Sequence, residues 1–371
     1  MRVTFFLADA NLSGGVRVVA TYARELARRG HDVTVISTPT RPIPLKRRVG
    51  SLLRGQGWPR QRSSEPSHLD GAGVRHIVVN PWPGLEASSI PDANAIVATW
   101  WETARWVRDL PASKGAKLYL MQDYGGPGQP LERIVETWSY GLRMFTISRY
   151  LEHLVQEHAP QEVEVIPNAV DLDVFHAPVR SKQARPTVGF LYTNYSEKAI
   201  PVCIEAIRLA RREVPELRVV AFGALAPTSD LPLPAGTSYR CRAGEAELSE
   251  IYASCDAWLF PTRREGFGLP ILEAMACRTP VIGTPAGAAP ELISEGGGIL
   301  VNPEDPVAMA RAILRVVRME EQEWQAMSDA GHRTATRWTW ADATARLERL
   351  LERSVAAARA GDTRNAARHA S

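Results

Sequence analysis

From its first residues the chain alternates short apolar runs of β-type residues with amphipathic stretches. Val3 to Ala8 reads as a buried strand and Ser13-Gly14-Gly15 as a turn, after which Val16, Val19, Tyr22, Ala23 and Leu26 recur at helical spacing. Arg28-Arg29-Gly30 closes that helix, its cations facing the C-terminal dipole and its glycine suited to a left-handed cap. Val33-Thr34-Val35-Ile36 returns as a strand, so the opening segment is a βαβ unit, which requires a parallel sheet and a right-handed crossover. The same pattern predicts strands at Ile77–Val79, Ala95–Thr99, Lys117–Met121, Arg143–Ile147 and Val163–Ile166. Ser148 is placed to cap a helix that begins at Arg149.

A polar stretch, Arg180 to Pro186, then interrupts the pattern as a linker would. The alternation restarts with strands at Thr187–Leu191, Leu217–Phe222, Ala257–Phe260, Pro280–Gly283 and Gly298–Val301. Helices are expected at Pro201–Arg212, Glu245–Ala253, Pro270–Cys277 and Val307–Val317. The expected fold class is therefore α/β, with two Rossmann-like doubly wound parallel-sheet domains, 1–178 and 186–337. The Ala- and Arg-rich tail, 356–371, has few large apolar residues and is expected to fray.

Composition narrows the function. The 371 residues, 45% of them hydrophobic, suffice for two cores. With 44 Lys+Arg against 41 Asp+Glu, the +3 balance excludes a nucleic-acid or other polyanion binder as a whole. The apolar run at the start is far shorter than the roughly 20 residues of a membrane span. Cys203, Cys241, Cys255 and Cys277 lack close CxxC pairing and read as buried free thiols in a reducing cytoplasm. The charge is uneven, however: Arg41, Lys46, Arg47, Arg48, Arg54, Arg60 and Arg62 stand in one segment, 41–62, without an acid. Such a segment is either a solvated loop or a peripheral contact with an anionic membrane face, where each cation contributes about 1 kcal/mol.

Ligands of an open parallel sheet bind outside the carboxyl ends of its strands, so the loops that follow strands are the candidates for chemistry. Gly14 and Gly15 allow close backbone approach ahead of a helix N-terminus, which favours an anion; the pair also suits a plain tight turn. In the second domain, Lys198 stands just before a helix opened by Pro201, where an ammonium and free amides can converge on a phosphate. The richest loop is Pro261 to Gly268, where Glu265 precedes Gly266-Phe267-Gly268-Leu269 and a helix opened by Pro270. Glu273 lies within about the first turn of that helix, where side chains lean toward the N-terminus, so its carboxylate is expected to point back toward the loop that holds Glu265. Two carboxylates beside an anion-binding helix end suit a ligand with both phosphate and vicinal hydroxyls, such as a sugar nucleotide.

Glu265 to Glu273 forms an E-x7-E signature within EGFGLPILEAMACRTPVIGTPAGAAPELI. With SGGVRVVATYARELARRGHDVTVIS, TISRYL, VIPNAVDLDVF and ILVNPEDPVAMARAI, it resembles the GT-B glycosyltransferases of family 4, over nearly the whole chain to about Leu351. The resemblance implies a retaining hexosyltransferase that uses a nucleotide-diphosphate sugar as co-substrate, with no separate cofactor and no metal. It further implies that Lys198 neutralises the diphosphate, Glu265 holds the transferred sugar and Glu273 the ribose. Amides of Gly266, Phe267, Gly268 and Leu269 would line the donor, with Gly14 and Gly15 closing from the other domain. A helix at about 338–355 would cross back to complete the first domain. Asp171 and Asp173 mimic a DxD metal motif but fall in the PN-x-VDxDxF segment and read as structural.

Two departures from that pattern stand out. No arginine precedes Lys198 on the strand Val188 to Tyr192, so Arg263 or Arg264 takes its place or Lys198 works with helix amides alone. A histidine common after the fourth strand is replaced by Ala98-Thr99-Trp100-Trp101-Glu102; Trp100 and Trp101 either stack on a carbohydrate or lipid-linked acceptor or belong to the core. A sugar-nucleotide epimerase and a non-catalytic sugar-nucleotide-binding subunit are the competing readings.

Overall fold

The computed structural model describes residues 1–39, 50, 52, 66–125, 129, 131–159 and 161–369, with side chains through 360. Nearly all of the basic segment 41–62 lies outside the described residues. The first sheet consists of β1 (Arg2–Leu7), β2 (Asp32–Ser37), β3 (Arg75–Val78), β4 (Ala95–Ala98), β5 (Ala116–Met121), β6 (Arg143–Thr146) and β7 (Glu164–Val165). Their spatial order is β3-β2-β1-β4-β5-β6-β7, and every pairing is parallel. The second sheet holds β8 (Thr187–Leu191), β9 (Arg218–Gly223), β10 (Ser238–Cys241), β11 (Ala257–Phe260), β12 (Val281–Gly283) and β13 (Gly298–Leu300). Its order is β10-β9-β8-β11-β12-β13, again wholly parallel.

Both orders reverse direction once, between β1 and β4 and between β8 and β11. A crevice opens at the carboxyl edge of such a reversal because the crossover helices on its two sides lie on opposite faces of the sheet. The loops of Gly14 and Trp100 follow β1 and β4, and those of Lys198 and Glu265 follow β8 and β11. The central strands are buried throughout, as the runs Val3–Leu7, Ala95–Ala98 and Ala257–Phe260 require.

Several elements escaped the pattern. Strand β10, Ser-Tyr-Arg-Cys, is a largely exposed edge strand and carries no apolar face to reveal it. The helix Glu321–Thr336 packs on the helix Leu269–Ala276 through small residues. A Cβ at Gly297 would fall 2.6 Å from the Gly331 Cα, a contact that a search for large apolar residues does not register. The helices Trp101–Arg108, Leu131–Thr137 and Ala289–Ile293 are short and were also missed. The last helix runs Trp340–His369, past the expected end near 355; alanine and arginine, the residues that suggested fraying, are strong helix formers.

That last helix lies on β4, β5 and the helix Gly14–Arg28, burying Ala343, Leu347, Leu350 and Leu351 in the core of the first domain. Trp338 Nε1 donates to the Pro167 carbonyl at 3.0 Å, and Trp340 meets Tyr22 edge-on at 5.4 Å. Glu348 accepts from Arg29 at 3.0 Å and pairs with His31 at 2.7 Å. Asp171 O accepts from Phe175 N at 2.8 Å in a turn that seats Phe175 in the core, which gives the Asp171-Leu172-Asp173 segment a structural task. Cys203, Cys255 and Cys277 are buried free thiols, and burial pushes each of them up, Cys277 to about 11; Cys241, expected to be buried too, is exposed because it ends the edge strand β10.

Candidate active site in the cleft

Lys198 ends a 3-10 turn, Ser196–Lys198, and Ala199 then takes a left-handed conformation before the helix Ile200–Ala210, in which Pro201 is second. Arg263 N donates to Glu197 O at 2.7 Å, which ties this turn to the loop after β11. The tie brings Lys198 Nζ onto the Glu265 carboxylate, where the two form an ion pair, each side chain about a quarter exposed. The structure thus joins two residues 67 positions apart that the sequence nominated separately.

The glycines of the same loop have distinct tasks. Gly266 lies against the first domain, for a Cβ there would fall 1.8 Å from the Gln122 carbonyl oxygen. Ser148 Oγ, placed by the N-cap of the helix Arg149–His158, donates to Gly266 O at 2.9 Å. Gly268 adopts φ +99, a left-handed value open to glycine, and so turns the chain into the helix Leu269–Ala276. Phe267 is buried, and its carbonyl accepts from Ala288 N at 3.2 Å. Across the cleft, a Cβ at Gly14 would stand 3.8 Å from Leu269 Cδ1, while Gly15 O accepts from Gln122 Nε2 at 3.2 Å.

Glu273 is fifth in its helix and 4% exposed. Rather than turning to Glu265, its carboxylate accepts from Tyr252 OH at 2.7 Å and pairs with Arg17 of the first domain. Burial alone would lower the Arg17 pKa, but the Glu273 carboxylate more than offsets this and raises it. Tyr252 is held by Trp258 at 4.4 Å; burial, reinforced by Glu273, raises its pKa, so it stays a hydrogen donor. Both carboxylate oxygens are thereby oriented by fixed donors.

Sequence reasoning did not single out Arg17, Gln122, Asp123, Tyr124 or Tyr252. Arg17 lies inside the very Ser13-Gly14-Gly15-Val16-Arg17 stretch that was read for its glycines, and Gln122-Asp123 follow the carboxyl end of β5, where the strand rule already pointed. Burial raises the Asp123 pKa, opposed chiefly by Arg264, with Glu265 and Lys198 also close enough to act on it. Arg263 turns outward to Glu304, at 2.8 Å from Nη2, whereas the Arg264 guanidinium lies 5.0 Å from the Tyr124 ring centre, toward the first domain. Trp101 is buried and Trp100 half-buried against the core, so the core reading describes most of both rings.

Glu273→Ala is expected to weaken nucleotide binding at least about tenfold and also to destabilise the fold. It leaves Arg17 without its partner, a loss of roughly 2–3 kcal/mol, below the fully buried case because Arg17 keeps a quarter of its side chain in solvent. Nucleotide titration and thermal unfolding of the same variant separate the two effects; unchanged stability would show that the pair contributes nothing.

Residues 185–319 match the family model described as Glycosyl transferases group 1. The D-inositol 3-phosphate glycosyltransferase of Corynebacterium diphtheriae is 25% identical over 91% of this chain and 89% of its own. The chain is thus similar to the GT-B glycosyltransferases of the family 4 kind and has their fold. An MMP alpha-(1->4)-mannosyltransferase of Mycolicibacterium hassiacum is 28% identical over 53% of this chain and 50% of its own. The chain matches about half the length of that relative and of two further D-inositol 3-phosphate glycosyltransferases. The GT-B fold itself is shared with Anabaena HepE in complex with UDP-glucose, at TM-score 0.75 and 15% identity over 95% of this chain and 99% of that one. It is shared likewise with the sucrose-phosphate synthase of Thermosynechococcus elongatus, at TM-score 0.74 and 17% identity over 96% and 100%. Among the described residues, no helix of this GT-B chain is long and apolar enough to cross a membrane.

Proposed function

We propose that the chain moves a sugar from a nucleotide-diphosphate sugar to an acceptor hydroxyl with retention of anomeric configuration. The observation that carries this reading is the Lys198–Glu265 pair at the second sheet's point of reversal, with Glu265 on the loop that leads to Leu269, which lies against Gly14 of the first domain. The acceptor oxygen bonds to the anomeric carbon as the bond from that carbon to the diphosphate oxygen breaks. The hydroxyl proton passes to the leaving phosphate oxygen, so no strong side-chain base is needed. Lys198, the amides of the helix Leu269–Ala276 and Arg264 gather positive charge where the leaving oxygens become negative, and a metal is not required by this scheme. Arg264, 5.0 Å from the Tyr124 ring centre and only loosely paired with Glu197 at 3.7 Å, fits the part of the missing β8 arginine better than Arg263, which Glu304 holds closely.

The names of the relatives, a mannosyltransferase and several inositol-phosphate glycosyltransferases, support sugar transfer as the class. Incubation with UDP-, GDP- and dTDP-sugars tests it: slow release of the nucleoside diphosphate is the expected outcome, and the anomer of the product, read by NMR, reports retention. An isomerised sugar would replace transfer with epimerisation, and binding without turnover would make the chain a sugar-nucleotide-binding subunit. The cytoplasmic face of a membrane is the proposed place of work, with segment 41–62 as the contact; sedimentation with anionic liposomes, lost when its basic residues are neutralised, is the expected behaviour.

A further inference from the structure

On the flank of the first domain, the helices Trp101–Arg108 and Leu131–Thr137 border a cavity of about 330 Å³. Small-molecule sites begin at roughly 300 Å³. Trp82, Trp101 and Trp106 line it together with Arg105, Arg108 and Arg133. The sequence builds this wall by helical spacing: Trp101, Arg105 and Arg108 stand four and three residues apart and so share a face. The aromatic part is fixed by packing, with Trp106 at 5.4 Å from Phe6 and edge-on to Trp82 at 6.2 Å. Trp82 is 38% exposed and, like Glu102, has a further interaction of its own.

The polar groups are less satisfied than the aromatic ones. Arg108 grips Asp109 through Nε at 2.7 Å and Nη2 at 3.0 Å, which cancels one carboxylate of the lining, and Glu102 has an interaction of its own. Arg105 and Arg133 form no ion pair with a described residue. Trp101 is 8% exposed, and its indole Nε1 has no acceptor among the described residues. An N–H buried without a partner keeps its desolvation penalty, which a ligand oxygen would remove. Indole faces suit the C–H surface of a pyranose, an indole N–H suits a ring hydroxyl, and guanidinium forks suit carboxylate or phosphate.

We propose that this cavity binds a sugar carrying a carboxylate or a phosphate and serves as the subsite for an anionic acceptor. Trp82 and Trp101 follow β3 and β4 at the carboxyl edge of the first sheet, the edge that faces the donor loops. As an acceptor subsite it rests on the transfer reaction proposed above; as a binding site it does not.

Tryptophan fluorescence of the full-length protein, titrated with glucose, glucose 6-phosphate, glucuronic acid and inorganic phosphate, tests it. The two anionic sugars are expected to bind at least about tenfold more tightly than glucose or phosphate alone, with their order telling carboxylate from phosphate. The double variant Arg105→Ala/Arg133→Ala should lose about tenfold in that affinity while UDP binding stays unchanged, and Lys198→Ala should leave the anionic sugar bound. Equal affinity for glucose, or an unaltered double variant, overturns the site. So does sedimentation on phosphatidylglycerol vesicles that depends on the two arginines without any sugar binding. Sugar binding with no nucleotide-sugar turnover would retain the site and remove its acceptor role; turnover without sugar binding would remove the site and leave the transfer reading intact.

Discussion

Glu265→Ala is expected to lower transfer at least about a thousandfold while the protein stays folded. Glu265 is the loop carboxylate that meets Lys198, so its loss removes the group assigned to the transferred sugar and frees the ammonium assigned to the diphosphate. Losing a preorganised group at the reacting centre is worth about 10²–10³ in rate, and misplacement of Lys198 adds to it. The stability change should stay within about 1 kcal/mol, because both side chains are partly solvated and such pairs contribute little. Nucleoside diphosphate release and thermal unfolding measured on one preparation give both numbers. Near-normal turnover would place the chemistry elsewhere.

Gly266→Ala should be nearly as damaging for a different reason. The added methyl would lie 1.8 Å from the Gln122 carbonyl oxygen, a backbone atom of the other domain that has no rotamer by which to yield. The carboxyl edges of the two sheets can no longer meet, and the Ser148 bond to Gly266 is lost with them. A displacement of about 1 Å at such a junction costs on the order of 10²-fold in rate. The expected signature is a large fall in kcat/KM with little change in unfolding temperature. Wild-type activity would mean that the two domains do not close through this contact.

The architecture was legible because parallel strands buried on both faces read as continuous apolar runs: β1, β2, β4, β5, β8 and β11 stand where the pattern put them, within a residue or two. The strand rule and the glycine-rich loops also led to Lys198, Glu265 and the Gly266-Phe267-Gly268 turn. What the pattern could not carry is partnership. Nothing in the spacing of Glu265 and Glu273 says that one meets Lys198 and the other Arg17, because the second partner comes from a domain 256 residues away in sequence. Gln122 escaped for the same reason, and Ser148 was legible as a helix cap but not as a partner of Gly266, because such a contact leaves no periodic trace. The helix Glu321–Thr336 escaped because its packing surface is made of Ser328, Ala330 and Gly331 around a single Trp324.

The final helix gives this chain an unusual order of assembly on the ribosome. Strands β8 to β13 end at Leu300, so the second sheet has all its strands while the chain is still being made. The first sheet, synthesised earlier, lacks the layer over β4 and β5 until Leu347, Leu350 and Leu351 emerge. The half that is translated first is therefore finished last, reversing the usual N-to-C sequence of domain completion. A premature stop before Trp340 would strip a wall from the older half rather than trim an end, and it is that uncovered apolar face that a chaperone would meet on the nascent chain.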